Sequence, residues 1–310
     1  LLILLSVNLS AQEYFQQETN YIIDVTLDDE DHTLKGMEYI DYTNNSPNDL
    51  EFLWFHIWPN AYKDNTTALA KQKLEDGSTS LHYATEEEKG YINGLDFKVN
   101  GEKVKWDYHQ EQIDICKLFL NKPLRAGQSI RISTPFFVKI PNAKFSRLGH
   151  VDQSYMITQW YPKPAVYDKD GWHPMPYLDQ GEFYSEFGSF DVSITLPSNY
   201  TVGATGDLQN KGEIDRLNKL AEVTDTIAKF SNDMSFPLSD LSTKKLRYIQ
   251  HNVHDFGWFA DKRFHVLKGV VEVPHTKARV TLWTMFTNNE AELWKNSIEY
   301  MHDAVYYYSL

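Results

Sequence analysis

Hydrophobic alternation with a period of two, interrupted by turn dipeptides, is the pattern that most restricts what this chain can fold into. In "YIIDVTL", Tyr21, Ile23, Val25 and Leu27 fall on one side, and in "FDVSITLP" Phe190, Val192, Ile194 and Leu196 do the same. Successive side chains of a strand point to opposite faces, so both segments read as strands with one buried face. "LEFLWFHIWPN", from Leu50, is apolar on both faces, as in a strand covered on two sides, and Pro59-Asn60 is expected to end it. Further strands are predicted over 34–43, 97–106, 112–120, 129–140, 200–208, 223–230, 246–256 and 279–286. Asn93-Gly94, Asn100-Gly101, Ala126-Gly127 and Asp170-Gly171 supply turns among them. This density of strands predicts a mainly β fold, a large antiparallel sandwich or saddle-shaped sheet.

Two segments depart from the alternation. Residues 61–90 are polar, with "EDGSTS" and "TEEEKG", and read as a long excursion holding a short helix. At the C-terminal end, "TNNEAELWKNSIEYMHDAVYYYSL" switches to helical spacing. Thr287 and Glu290 form a predicted capping box, and Trp294, Ile298, Met301, Val305 and Tyr308 line one stripe. An apolar stripe with nothing downstream to cover it, together with a first residue that is not Met, suggests a sequence truncated at both ends. "LLILLSVNLSAQ" reads as the remnant of a signal peptide over residues 1–11, with Ala11 before the cleavage point, and the protein is expected to be exported.

Charge narrows the partners. The chain has 310 residues, with 30 basic against 43 acidic side chains and a formal charge of -13. Nucleic acid and anionic membranes both require a concentrated positive surface, so neither is an expected partner. No run approaches the ~18 apolar residues of a membrane span. Cys116 is the only cysteine; no internal disulfide can form, and its place in "IDICKLFL" suits a core residue.

The direct search for catalytic chemistry is largely negative. None of the 11 histidines is followed by Glu, so the chain contains no HExxH zinc helix. No GxSxG elbow, P-loop or GxGxxG fingerprint occurs. His251 and His254, three apart in a predicted strand, point to opposite faces and share no metal. "DKDG" at Asp168–Gly171 lacks the remaining ligands of a calcium loop and reads as a turn. "DDEDH" from Asp28 reads as a solvated hairpin tip. Glu182 and Glu186 could form a glycosidase pair, but 43 acidic residues make some such pair nearly inevitable.

Five stretches carry a family resemblance. "YIIDVTLDDEDHTLKGMEYIDYTNNSPNDLEFLWFHIWPNAY" resembles the opening of the N-terminal domain in the aminopeptidase N family of zinc metallopeptidases, through the strand Tyr21–Leu27, the segment Gly36–Asn45 and the segment Phe52–Asn60. "MITQWYPKPAVYDKDGWHPMPY" is similar to that family's Thr-Gln segment and the proline-rich turn behind it. "EFGSFDVSITLPSNYTVGATGDL" is similar to the strand pair that follows, and "HDFGWFADKRF" with residues 280–309 to the exit from that domain and the first catalytic-domain helix. The resemblance runs from about Tyr21 onward. It implies a β-domain over 12–265 and the start of a thermolysin-like α/β domain over 266–310.

The resemblance also implies an activity: hydrolysis of the N-terminal peptide bond of a peptide substrate by a zinc-bound water. The implied cofactor, Zn, belongs to a downstream HExxH helix and a distant Glu, so no catalytic residue or metal ligand is assigned in these 310 residues. Substrate-binding positions carried over from the Thr-Gln segment are Gln159 and Tyr161. Tyr161 departs from the family's Glu or Gln, and a phenol offers an ammonium group no countercharge. Pro162, Pro164, Pro174 and Pro176 fix φ and hold the segment in one shape. Alternatively, Trp160, Tyr161, Tyr167 and Trp172 simply pack a rigid corner. Two other functions remain open: a non-catalytic module binding glycans or protein, with Trp54, Trp58, Trp160 and Trp172 as a stacking shelf, and a family member that has lost zinc.

Overall fold

The computed structural model describes residues 14–310, so the signal-peptide remnant expected at 1–11 lies outside the described residues. Its largest element is a sheet running, in spatial order, Asp207–Leu208, Thr243–Val253, Gly188–Pro197, Glu18–Asp28, Thr33–Thr43, Ser129–Lys139, Lys98–Val99 and Glu102–Lys103. Tyr91–Asn93 also pairs with Ser129–Lys139. The pairings are antiparallel except one: Glu18–Asp28 lies parallel to Gly188–Pro197, with Tyr21 opposite Phe190. The alternation places Tyr21, Ile23, Val25 and Leu27 on the core face beside Phe190, Val192, Ile194 and Leu196, all buried. The opposite face carries cross-strand ion pairs, Arg131 with Asp41 and Arg247 with Asp191, as a solvated sheet face should.

Two smaller sheets cover that core. One orders Gly149–Val151, Ser154–Ile157, Trp258–Asp261 and Thr201–Ala204; the other orders Lys163–Pro164, Leu50–His56, Ile115–Leu124 and Trp106–Tyr108. Gly36 faces this interior. A Cβ there would come within 2.2 Å of the Phe136 ring, so only glycine lets that ring lie against the strand. Cys116 is fully buried, and burial pushes its thiol up, as expected of a core residue.

Several predicted elements are corrected. The strand expected at 97–106 is two short strands turned at Asn100-Gly101, both with positive φ. The strand expected at 112–120 begins at Ile115 and runs to Leu124. Pro59-Asn60 does not simply end the Leu50 strand but sits inside a buried 3₁₀ turn, Trp58–Tyr62. No strand forms at 223–230. That stretch holds the end of the helix Lys211–Asp225, which buries Leu217, Ala221 and Thr224 and leaves Val223 exposed. The short helix expected within 61–90 is Ala68–Glu75, capped by the Thr67 hydroxyl, which accepts from the Ala70 N–H.

Near the C-terminus, the hairpin His265–Glu272/Arg279–Phe286 packs on the 211–225 helix, where Leu217, Ala221 and Val266 form a small second core. The capping box does not form: Thr287 gives its hydroxyl to Asn289, and the helical spacing breaks into a 3₁₀ turn, a short helix Ala291–Trp294 and the helix Ser297–Tyr308. Of the predicted stripe, Ile298, Met301 and Val305 are half-buried, whereas Trp294 and Tyr308 are exposed. Gly269 permits this contact, since a Cβ would lie 2.4 Å from the Ile298 side chain.

Candidate functional site

The Thr158–Pro176 segment crosses the interior between the sheets and closes on Asp255, just past the Thr243–Val253 strand. Thr158 anchors its start through its hydroxyl, which donates to the Arg147 carbonyl at 2.7 Å. Gln159 follows with φ of 55°, a left-handed conformation that is uncommon and strained for a residue with a Cβ. The bend points the Gln159 side chain back toward Lys163 and Asp255. Lys163 and Pro164 then pair with His56 and Phe55, which ties the segment to the small sheet.

Four polar side chains meet there. The Asp255 carboxylate accepts from the Gln159 amide, from the Tyr161 hydroxyl at 2.7 Å and from the Lys163 ammonium at 3.1 Å. The Phe256 N–H supplies a fourth bond at 2.8 Å. Lys163 also donates to Gln159 Oε1 at 2.7 Å and lies 4.5 Å from the centroid of the Trp58 ring. Burial raises the Asp255 carboxyl, but the Lys163 charge and the hydrogen bonds outweigh it, so the group stays below its ordinary value. Burial lowers Lys163, offset in part by Asp255, and pushes Tyr161 well up, reinforced by the Asp255 charge. His56 stacks on Trp58 at 4.3 Å and accepts the Met175 N–H through Nε2. Burial, with the Lys163 charge, holds this imidazole well below its ordinary pKa.

The structure brings Gln159 and Tyr161 together, as the sequence pairs them. Tyr161 is buried and Gln159 nearly so, at 9% exposed. Lys163 and Asp255 were not singled out from sequence. Lys163 lay in plain view two residues past Tyr161, while Asp255 is ninety-odd residues away and reachable only through the fold. A second acid, Glu38, lies close enough to raise the pKa of both Tyr21 and Tyr161; it is fully buried, both its oxygens lack a hydrogen-bond partner, and burial pushes its carboxyl well up.

Other candidates resolve into structural roles. Asp168 accepts the Asp170 N–H and pairs with His173 at 2.8 Å each, so "DKDG" is the predicted turn. The "DDEDH" segment is not simply a solvated tip: Asp29 is buried and accepts the Tyr200 hydroxyl at 2.7 Å and the Ser239 hydroxyl at 2.5 Å. Glu182 is exposed while Glu186 is buried. The four-tryptophan shelf does not form, because Trp58 and Trp160 are core residues; Trp160 gives its indole N–H to the Phe256 carbonyl at 3.0 Å. His251 and His254 are both exposed. Asn252, at φ 56°, interrupts the alternation between them. Among the described residues no group of three or more His, Cys, Asp or Glu is placed to hold a metal ion, so these residues do not fit zinc.

No family model and no curated protein matches the sequence. Among solved structures, the chain is similar to the M1 zinc metallopeptidase from Deinococcus radiodurans, at a TM-score of 0.48 and 11% identity over 88% of this chain and 48% of that one. It is similar also to a mutant of that enzyme bound to a Tyr-Ser-Ala substrate (0.47; 11%; 88% and 48%). A third is a two-domain M1 zinc metallopeptidase mutant bound to L-tryptophan (0.47; 12%; 88% and 48%). The chain spans about half the length of these structures.

Proposed function

We propose that this chain is the N-terminal part of an exported zinc metallopeptidase, an aminopeptidase whose β-domain shapes the substrate cleft and whose zinc ligands lie outside these residues. The observation that supports the reading is the closure of the Thr-Gln segment onto Asp255, with Gln159 held in a strained bend at its head. Strain of that kind persists only where the surroundings over-determine it, and it clusters at ligand-contacting sites. The four acceptor positions of Asp255 are taken, which leaves Gln159 as the contact residue. Its amide has spent one N–H on Asp255 and one lone pair on Lys163, keeping one donor and one acceptor for the amine end of a peptide. Asp255 and Lys163 hold that amide in place, and the Tyr161 hydroxyl holds Asp255. An interdomain boundary near residue 265 belongs to the same proposal.

The test begins with the coding DNA beyond Leu310, followed by expression of the whole product. Zinc at one ion per chain by elemental analysis, with release of 4-nitroaniline from aminoacyl anilides, is the expected result. Gln159→Ala should then raise KM about tenfold or more with a small change in kcat, since a binding contact common to ground and transition states is removed. A reading frame without the zinc motif, or a whole protein free of zinc and inactive, overturns the proposal.

A further inference from the structure

The sheet that holds Leu50–His56, Ile115–Leu124 and Trp106–Tyr108 gives its inward face to the core through Leu53, Phe55, Cys116 and Leu118. Its outward face breaks the rule kept by the large sheet, whose outer side carries ion pairs. Here Phe52, Trp54 and Phe119 project outward, half-buried, and are not among the residues packed against the main core. Core filling therefore does not explain them. Trp54, Lys117 and Asp107 stand directly opposite one another on three adjacent strands, forming one row across the sheet. Around this row is a cleft of ≈ 540 Å³, with His109 and Glu111 on its rim.

The groups in the cleft select a ligand class. A cationic ligand is disfavoured, because the Lys117 ammonium already lies 3.5 Å from the Phe52 ring centroid and 5.3 Å from that of Trp54. Nucleic acid needs an excess of positive charge, which the cleft lacks. Asp107 is balanced by Lys105 at 2.8 Å, and the negative charge of Glu111 is offset by the positive charge of Lys117 in the same cleft, so the cleft is close to neutral within a chain of charge -13. The Lys117 ammonium has no hydrogen-bond partner among the described residues, His109 Nδ1 accepts the Glu111 N–H and leaves Nε2 free, and Asp107 and Glu111 offer carboxylate oxygens. Donors and acceptors thus alternate beside an aromatic ring. Pyranose rings match that arrangement: each hydroxyl both donates and accepts, and the ring C–H face lies against indole.

We propose that this cleft binds a neutral glycan chain, with one sugar ring on Trp54 and its hydroxyls on Lys117, His109 and the two carboxylates. The site is separate from Gln159 and Asp255 and would tether the protein to polysaccharide without taking part in peptide hydrolysis.

The test uses the full-length product and neutral hexasaccharides of β-1,4-glucose, β-1,4-xylose, β-1,4-N-acetylglucosamine and α-1,4-glucose, titrated by calorimetry and tryptophan fluorescence. At least one should bind with a shift in indole emission. Trp54→Ala should weaken that binding about tenfold or more, the size typical of a buried aromatic anchor. Lys117→Met, which keeps the stem and drops the ammonium, should weaken it several-fold, and Trp294→Ala should leave it unchanged. Near-UV circular dichroism establishes that each variant is folded, and Lys117→Met carries the test if Trp54→Ala is not. Anilide hydrolysis by the Lys117→Met variant should equal that of the parent, so failure here and failure of the peptidase reading are distinguishable. The proposal is overturned if none of the four binds at millimolar concentration, if binding survives both substitutions, or if the cleft takes unglycosylated peptide on its Trp106–Tyr108 edge in preference to sugar.

Discussion

Asp255 and Glu38 are carboxylic acids near Tyr161, the first largely and the second fully buried, and burial has opposite outcomes for them. Asp255 stays ionised because a lysine, a phenol, an amide and a backbone N–H fill its lone pairs. Glu38, facing Ile23 and Thr134 across its strand, has no partner on either oxygen and is held in its neutral form. A buried acid is tolerated either by full pairing or by keeping its proton. Only the paired one can fix a neighbouring side chain in a single geometry, and it is the paired one on which the Thr-Gln segment closes.

Removing the counter-ion tests that contrast most severely. Lys163→Met should cost about 3–5 kcal/mol, because Asp255 is left as an uncompensated buried charge. Denaturant titration of Lys163→Met beside the double variant Lys163→Met/Asp255→Leu checks it, with the double variant recovering most of the loss. A single variant within about 1 kcal/mol of the parent would dissolve the distinction between the two acids.

Glu186 sharpens it on the protonated side. Burial raises this carboxyl from 4.5 to about 7, more than the N–H groups of Tyr167 and Gln17 can offset. Between those two values the folded chain keeps a proton that the unfolded chain has released. Its contribution to stability therefore falls as pH rises from 4.5 to about 7 and is level above that. Glu186→Gln should remove that slope and stabilise the protein at pH 8 by on the order of 2–3 kcal/mol. Melting curves from pH 4.5 to 8 decide the matter; an unchanged slope would show that Glu186 is not buried in its neutral form.

The smallest effect belongs to Glu38. Glu38→Leu replaces two unsatisfied oxygens by apolar surface and should stabilise the fold by about 1–3 kcal/mol at neutral pH. A loss measured by denaturant titration would mean that Glu38 has a partner after all.

What could be read in advance follows the range of the forces. Tyr21–Leu27 and Phe190–Leu196 declared themselves, since alternation is local and a single buried face imposes it. The 211–225 helix did not, because Glu213, Arg216 and Lys219 mask the apolar Leu217 and Ala221, and Glu213 is itself drawn inward by Arg216 and Lys244. Thr287 fitted a capping pattern but found Asn289 nearer than the backbone. Gln159 and Tyr161 came from resemblance to a family segment, not from periodicity. Asp255, the residue that organises both, carries no local signal. Its role arises only from two distant stretches meeting.

The lone parallel pairing in the large sheet sets an order of events during synthesis. Tyr21 waits for Phe190, so the strand at the centre of the sheet emerges first yet is sealed on one side late. A hairpin of Glu18–Asp28 with Thr33–Thr43 can form early, but its open edge stays exposed while some hundred and fifty further residues emerge. Closing so long a loop is slow, and an unpaired edge in the meantime invites association. A nascent chain of this design gains from having that open edge covered until its second half is available.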